Sequence, residues 1–369
     1  MPGSINRKKS RQIKLGAVLV GDGAPISVQS MTTTDTRDVP ATVAQIQRLV
    51  AAGCEIVRVA VVDEEAARAI SRIKAAISVP LIADIHFDYR LAVAAAAAGA
   101  DGLRINPGNI GGLRRVRAVV DAARHHGLAI RIGVNAGSLE KELLQRHGHA
   151  TADAMVESAL RHIDQITGMG FENIKVSLKA SDVKRTVAAY RQLSTKCDFP
   201  LHLGVTEAGG LYPGIVKSAL GIGMLLAEGI GDTLRVSLTR DPVEEVRVGY
   251  EILRALDIRR HGAEIISCPT CGRCGIDLFR IVEQVEQALL TRPVPIKVAI
   301  MGCVVNGPGE AREADVGVAG GDGIGILFKR GRVVKKFPQE RLVEELLKAV
   351  AAFQTPTPED QQPQGGSSH

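Results

Sequence analysis

"EIVRVAVVDEEAARAISRIKAAISVPLIADIHF", Glu55 to Phe87, decides the fold. It opens on a β-branched run, "EIVRVAV", continues as an Ala-rich stretch with amphipathic helical spacing, "EEAARAISRIKAAI", and closes on a second run, "PLIADIHF". A short apolar run, a helix and a second apolar run make one βα unit of a parallel sheet. The helical stretch here and its neighbour "TVAQIQRLVAAG" end at Gly or precede Pro, as a helix followed by a buried strand should.

The same rhythm extends on both sides, from about Pro25 to Asp257. Eight runs carry it: "ISVQSM", "EIVRVAV", "PLIADIHF", "GLRIN", "LAIRIGVN", "NIKVSLK", "PLHLGVTE" and "TLRVSL". Eight such units predict a closed, TIM-type (β/α)₈ barrel over residues 1–258. The pattern changes at "RRHGAEIIS". Residues 259–353 hold one strong helix, "LFRIVEQVEQALL", a strand, "IKVAIMGC", and a Gly-rich hairpin region, which together read as a small α+β domain. The tail over 354–369, with "TPTPEDQQPQGGSSH", has no apolar face and is expected to be disordered.

Composition narrows the function. The 369 residues hold 46 Lys+Arg against 40 Asp+Glu, a formal +6, with only 3% aromatic residues. That mild excess suits an anionic small molecule or an acidic protein partner, and it argues against nucleic acid. No stretch approaches the roughly 18 apolar residues of a membrane span, and the basic N-terminus has no apolar run of signal-peptide type. A cytoplasmic, reducing setting is the expectation. Cys54 and Cys197 stand alone, while Cys268, Cys271, Cys274 and Cys303 cluster, which in that setting points to metal rather than disulfides.

The carboxyl ends of barrel strands line the active site. Here they carry Arg58, then Asp84 and His86, Arg104 and Asn106, Arg131 and Asn135, Ser177 and Lys179, Glu207, and Arg235 and Ser237. Buried cations must pair or bind something, and Asp84 with Glu207 cannot balance four arginines and a lysine. The mouth is therefore expected to be positive and to hold phosphate oxygens, most simply those of a diphosphate. For any single arginine, an ion pair at the barrel rim is the competing reading.

The cysteines leave a choice. A zinc ribbon needs two CxxC pairs, and this chain has one triplet plus a distant Cys303, although a Cys₄ zinc site remains open. A ferredoxin run needs a fourth cysteine, yet Gly275, Ile276, Asp277 and Leu278 follow Cys274. "MGCVVNGPGE", Met301 to Glu310, adds Cys303 at a strand end and a turn that returns Glu310 toward it. A carboxylate beside thiolate-bound iron is a weak ligand that substrate can displace.

Taken together, "SVQSMTTTDTRDV", "ADIHFDYRLA", "RINPGNIG", "IRIGVNAGSL", "SLKAS", "GVTEAG", "SCPTCGR" and "GCVVNGPGE" closely resemble the iron–sulfur 4-hydroxy-3-methylbut-2-enyl diphosphate synthases of the methylerythritol phosphate route to isoprenoids. The resemblance implies a barrel followed by a ferredoxin-like (sulfite-reductase-like) cluster domain. It implies reductive ring opening and dehydroxylation of 2-C-methyl-D-erythritol 2,4-cyclodiphosphate, with electrons from reduced flavodoxin or ferredoxin. It implies one [4Fe–4S] cluster on Cys268, Cys271, Cys303 and Glu310, with no counterpart for Cys274. Substrate would be gripped by Arg58, His86, Arg104, Asn106, Arg131, Asn135, Lys179, Arg235 and Ser237, with Glu207 handling a proton and Asp84 near it. A head-to-tail homodimer follows from the same resemblance. Two rivals stand beside it: a non-redox phosphate-binding barrel with a structural zinc module, and a non-catalytic electron carrier.

Overall fold

In a computed structural model, residues 5–290, 294–303 and 311–353 are described. The expected tail and Glu310 lie outside them. The chain divides into two units, Met1–Arg259 and Arg260–His369.

The first unit begins with a hairpin, β1 (Ile13–Leu15) and β2 (Val18–Val20). Eight strands follow: β3 (Ser27–Met31), β4 (Ile56–Ala60), β5 (Leu81–Asp84), β6 (Gly102–Ile105), β7 (Ala129–Asn135), β8 (Ile174–Lys179), β9 (His202–Leu203) and β10 (Thr233–Leu234). All pair in parallel, in the order β8-β7-β6-β5-β4-β3-β10-β9, and a parallel bridge between Val176 and Leu201 closes the ring. These are the eight runs read from the sequence, although β9 and β10 keep ladder geometry for only two residues each. Glu207, Arg235 and Ser237 consequently sit on loops beyond the strands.

Strand alternation sorts the side chains. Val57, Val59, Ala83, Leu103, Ile105, Ile130 and Ile132 pack outward under the helices. The helix Glu64–Ala75 answers them with Ala66, Ala69, Ile70 and Ile73, each isoleucine contributing about 2 kcal/mol by burial. It starts where the Asp63 side chain accepts the Ala66 N–H, with Glu64 and Glu65 complementing the dipole of its first turn.

The inward positions change character along the barrel axis. At the amino ends, Ile56, Ile82 and Ala129 pack against Ile13, Leu15 and Val20 of the hairpin, which plugs the floor. Gly102 is required there, because a Cβ on it would lie 2.5 Å from Leu15 Cδ1. One inward step higher, the same strands present Arg58, Asp84, Arg104 and Arg131. The hairpin itself was not anticipated, because strands of three residues give little periodic signal.

The second unit holds β11 (Ala263–Ser267), β12 (Ile296–Met301), β13 (Val316–Gly321), β14 (Ile324–Lys329) and β15 (Arg332–Pro338), in that order in one sheet. β11, β12 and β13 are parallel; β14 and β15 continue antiparallel. The helices Leu278–Leu289 and Leu342–Ala351 cover one face through Leu278, Val285, Leu289, Leu346 and Val350, against Ile296, Val298, Ile300, Val316 and Val318. The opposite face buries Ala299, Met301, Ala319, Ile326 and Phe328. This is the α+β unit expected, with an additional strand, β11, drawn from the segment read as a boundary.

Candidate active site

Parallel register sets cations side by side in the barrel. Asp84 lies opposite Arg104, Arg104 opposite Arg131, and Arg131 opposite Lys175. Arg58, Arg104, Arg131, Lys175 and Lys179 are all buried, as is Asp84. Asp84 is shared: Oδ1 takes Arg104 Nη1 at 3.1 Å, while Oδ2 lies 3.5 Å from both Arg58 Nε and His86 Nε2. Burial alone would raise this carboxyl, but Arg58, His86, Arg104 and Arg131 outweigh it and hold it far below the usual carboxylate range. Asp84 is thus a fixed counter-charge.

One carboxylate does not satisfy so many cations. Among the described residues, Arg104 Nε, Arg131 Nε and Nη1, and Lys175 Nζ are buried without a hydrogen-bond partner, and so are both polar atoms of Gln29. Burial lowers the Arg58 guanidinium to about 10 against the pull of Asp84. Burial and then its neighbours Arg58 and Arg104 push Arg131 well below its ordinary value. Lys179 is lowered in the same way, first by burial and then by Arg131 and Arg235. Two glycines make the room: a Cβ on Gly133 would stand 2.8 Å from Arg104 Nε, and one on Gly204 2.7 Å from Lys179 Nζ.

A neutral network flanks the row. His202 Nδ1 lies 2.6 Å from Thr233 Oγ1, and its Nε2 lies 3.5 Å from Lys179 Nζ. Burial, with Arg131 and Lys179 close by, holds His202 uncharged. Tyr190 locks the strand beneath by donating to the His202 carbonyl and accepting from Leu178 N.

The remaining expected residues are placed more loosely. Arg235 makes a two-pronged contact with Glu245 at 3.1 and 3.0 Å, and Glu245 also accepts from Ser30 Oγ at 2.9 Å. Asn106 is buried and accepts from Gly108 N at 3.1 Å, opening the short helix Pro107–Ile110. Asn135 lies opposite Lys179 on the neighbouring strand, and Ser177 points inward with it. His86 is exposed on its outer side, and Ser237 is half-buried. Glu207 is exposed on the loop after β9 with φ 52°, and no hydrogen bond or ion pair joins it to Asp84 among the described residues.

Sequence reading missed Lys175 and Glu245. Lys175 was legible, since it shares inward parity with Ser177 and Lys179 on "NIKVSLK". Glu245 was not, because it reaches Arg235 from the helix Pro242–Ala255 and has no strand-end position.

In the second unit, Cys268 and Cys303 follow the carboxyl ends of the adjacent parallel strands β11 and β12. Cys268 Sγ accepts the Gly302 N–H at 3.3 Å. A Cβ on Gly302 would lie 2.6 Å from Cys274 Sγ and 3.6 Å from Cys268 Sγ, so this glycine keeps the backbone close to two sulfurs. Cys274 Sγ itself donates to Ile276 O at 3.3 Å. Cys271 is exposed in the turn between them. No metal-binding group of three or more His, Cys, Asp or Glu is preformed among the described residues, and Glu310 lies outside them. The donor set nonetheless fits thiolate ligation of iron, with the soft sulfurs of Cys268 and Cys303 just past adjacent strand ends and the Gly302 N–H turned toward Cys268.

Comparison with known proteins bears directly on these observations. The family described as GcpE TIM-barrel domain matches residues 10–250, and the GcpE protein C-terminal domain matches residues 264–352. The chain is 60% identical over 346 residues to the 4-hydroxy-3-methylbut-2-en-1-yl diphosphate synthase (flavodoxin) of Desulfotalea psychrophila, covering 93% of this chain and 95% of that protein. The Geobacter sulfurreducens protein of the same name is 59% identical, covering 93% of this chain and 98% of its own length. Among solved structures, dihydropteroate synthases of Yersinia pestis and Stenotrophomonas maltophilia align at TM-scores of 0.46 and 0.48 with 12% and 15% identity, over 67% and 66% of this chain and 97% and 98% of theirs. That likeness is too loose to bear on function. With both of its domains matched in order and relatives of one name spanning more than nine-tenths of its length, the chain belongs to the GcpE family.

Proposed function

We propose that this enzyme opens the ring of 2-C-methyl-D-erythritol 2,4-cyclodiphosphate and removes a hydroxyl to give (E)-4-hydroxy-3-methylbut-2-enyl diphosphate, an isoprenoid precursor. The observation that carries the reading is Arg131, buried with Nε and Nη1 unpaired beside an Asp84 already committed to Arg58 and Arg104. Such a cation row is costly to the fold unless an anion completes it, and a diphosphate presents the oxygens that guanidinium forks accept.

In balance, the cyclic dianion takes two electrons and one proton and yields the open diphosphate trianion and water. Arg58, Arg104, Arg131, Lys179 and Arg235 hold the diphosphate as one of its oxygens leaves carbon, stabilising charge where it develops. His86, Asn106, Asn135 and Ser237 orient the remainder of the substrate at the rim. Glu207, exposed at the mouth, is the acid that delivers the proton to the departing hydroxyl. Asp84 keeps the arginines aimed and holds no proton to give.

Cys268, Cys271 and Cys303, with Glu310, would hold a [4Fe–4S] cluster, which when bound supplies electrons one at a time. Flavodoxin is the donor printed in the names of the relatives, and we assign a reduced flavodoxin, or a ferredoxin in its place, to this chain. The same family membership supports a head-to-tail homodimer working in the cytoplasm. No described helix is long and apolar enough to cross a membrane.

The test is an anaerobic assay of cyclodiphosphate consumption with a reduced donor. Wild type is expected to turn over, Arg104→Ala with Arg131→Ala to lose substrate binding, and Cys303→Ser to lose turnover. Full activity in Cys303→Ser would sink the reading.

A further inference from the structure

Below Lys179 on the same strand lies a second lysine that the family resemblance does not use. Lys175 is 1% exposed, its Nζ has no hydrogen-bond partner among the described residues, and it stands opposite Arg131 in the β7–β8 register. Arg131 in turn stands opposite Arg104. The row therefore runs Arg104, Arg131, Lys175 across three strands, and among the described residues only its first member touches a carboxylate, Asp84. A buried ammonium with neither counter-ion nor acceptor is among the least favourable arrangements a barrel can hold, and shedding its proton is the cheapest relief.

We propose that Lys175 is a positioning residue that acts through Arg131, taking up a proton from solvent above neutral pH when a diphosphate settles against that arginine and so completing the cation row in the occupied site. The inference rests on the diphosphate reading given above. Two observations support it beyond the geometry. Burial, then Arg131 and Arg58, lowers Lys175 to about 7, so its proton is poised near neutrality in the free protein. The reaction also raises the charge on the diphosphate by roughly one as the ring opens, because a diester oxygen becomes a monoester terminus. A proton held at Lys175 answers that added charge without moving a side chain.

The groups around it set the sign. Arg131 from β7 and Arg58 from β4 oppose its proton; Asp84 from β5 is screened by its own arginines; His202 from β9 is neutral. An anion arriving beside Arg131 cancels the opposition, so the bound-state pKa lies above the free one. Below pH 7 Lys175 is already charged and anion binding draws no proton to it. Between about 7 and the bound value, binding takes up to one proton at this site and weakens by up to tenfold per pH unit.

The experiment is calorimetric titration of the intact protein with inorganic pyrophosphate, in buffers of different ionisation enthalpy at pH 8, for wild type, Lys175→Met and Lys175→Arg. Pyrophosphate ionisation and the contribution of Lys179 are common to all three and cancel in the differences. Lys175→Met is expected to take up roughly one proton fewer than wild type and to lose the matching pH slope in affinity. Lys175→Arg, charged throughout, is expected to lose the same proton and the same part of the slope, so that its affinity relative to wild type rises from pH 6.5 to pH 8. Equal proton uptake in wild type and Lys175→Met overturns the inference and leaves the diphosphate site standing. Failure of the wild type to bind pyrophosphate overturns the diphosphate reading and the inference together. If Lys175→Met does not fold, Lys175→Arg takes its place in the comparison, and proton uptake at pH 8 equal to that of the wild type overturns the inference.

Discussion

Asp84 and Arg104 face each other on adjacent parallel strands, Oδ1 to Nη1 at 3.1 Å, and this contact fixes the electrostatics of the barrel interior. The same carboxylate also serves Arg58 and His86, so it stabilises three cationic or polar neighbours at once.

Asp84→Asn is expected to destabilise the fold by about 3 kcal/mol or more, since it leaves Arg58 and Arg104 buried without their counter-charge. The carboxyl titrates lower in the folded chain than its ordinary value near 4, so its contribution is complete above that pH and is lost progressively as pH falls below it. Urea unfolding at pH 7 and at pH 3 checks both points. The gap between wild type and variant is expected to narrow at pH 3, and a gap that stays constant would contradict the assignment.

Arg131→Met is expected to do the opposite to stability. An unpaired buried guanidinium gives way to an apolar chain of similar reach, so the melting midpoint rises, by about 1 kcal/mol or more in free energy. Affinity for pyrophosphate falls by roughly a hundredfold in the same variant. Thermal unfolding and calorimetry on one preparation separate the two effects, and a variant that is both less stable and equally tight would refute the role given to Arg131.

Glu245→Gln leaves Arg235 without its two-pronged partner and Ser30 without an ionised acceptor. Because the loop after β10 carries Arg235, its fork loses a fixed direction, and kcat/KM for the cyclodiphosphate is expected to fall roughly tenfold or more. Steady-state kinetics with Glu245→Asp alongside shows whether a shorter carboxylate restores part of it.

The cysteines are expected to separate by iron content. Cys268→Ser and Cys303→Ser lose iron and acid-labile sulfide after anaerobic reconstitution, whereas Cys274→Ser keeps both, since its thiol is engaged with the Ile276 carbonyl. Gly302→Ala behaves like the ligand variants, because its Cβ would enter the space of Cys274 Sγ and crowd Cys268. Loss of iron in Cys274→Ser would make that residue a ligand and displace Glu310 from the set.

What the sequence determined by itself is what local periodicity encodes. Alternation of period two put Val57 and Val59 outward and Arg58 between them, and the helical period of "EEAARAISRIKAAI" aimed Ala66, Ile70 and Ile73 at the sheet. Repeated eight times, that local code suffices for the barrel, and the polar strand ends follow from it, including the cation-rich mouth. Spacing alone left the metal at the cysteines open, and the iron–sulfur reading rests on what the family resemblance implies. Only the tertiary structure decided which charges meet. Asp84 reaches Arg104 and Arg58 through strand register, Glu245 reaches Arg235 from a helix, and the hairpin of Ile13 and Leu15 fills the floor beneath them. Lys175 stays unpaired, and Cys274 comes beside Gly302, for the same reason. Contacts between distant segments depend on how strands are staggered as the sheet closes, and neither of the two local periods specifies that stagger.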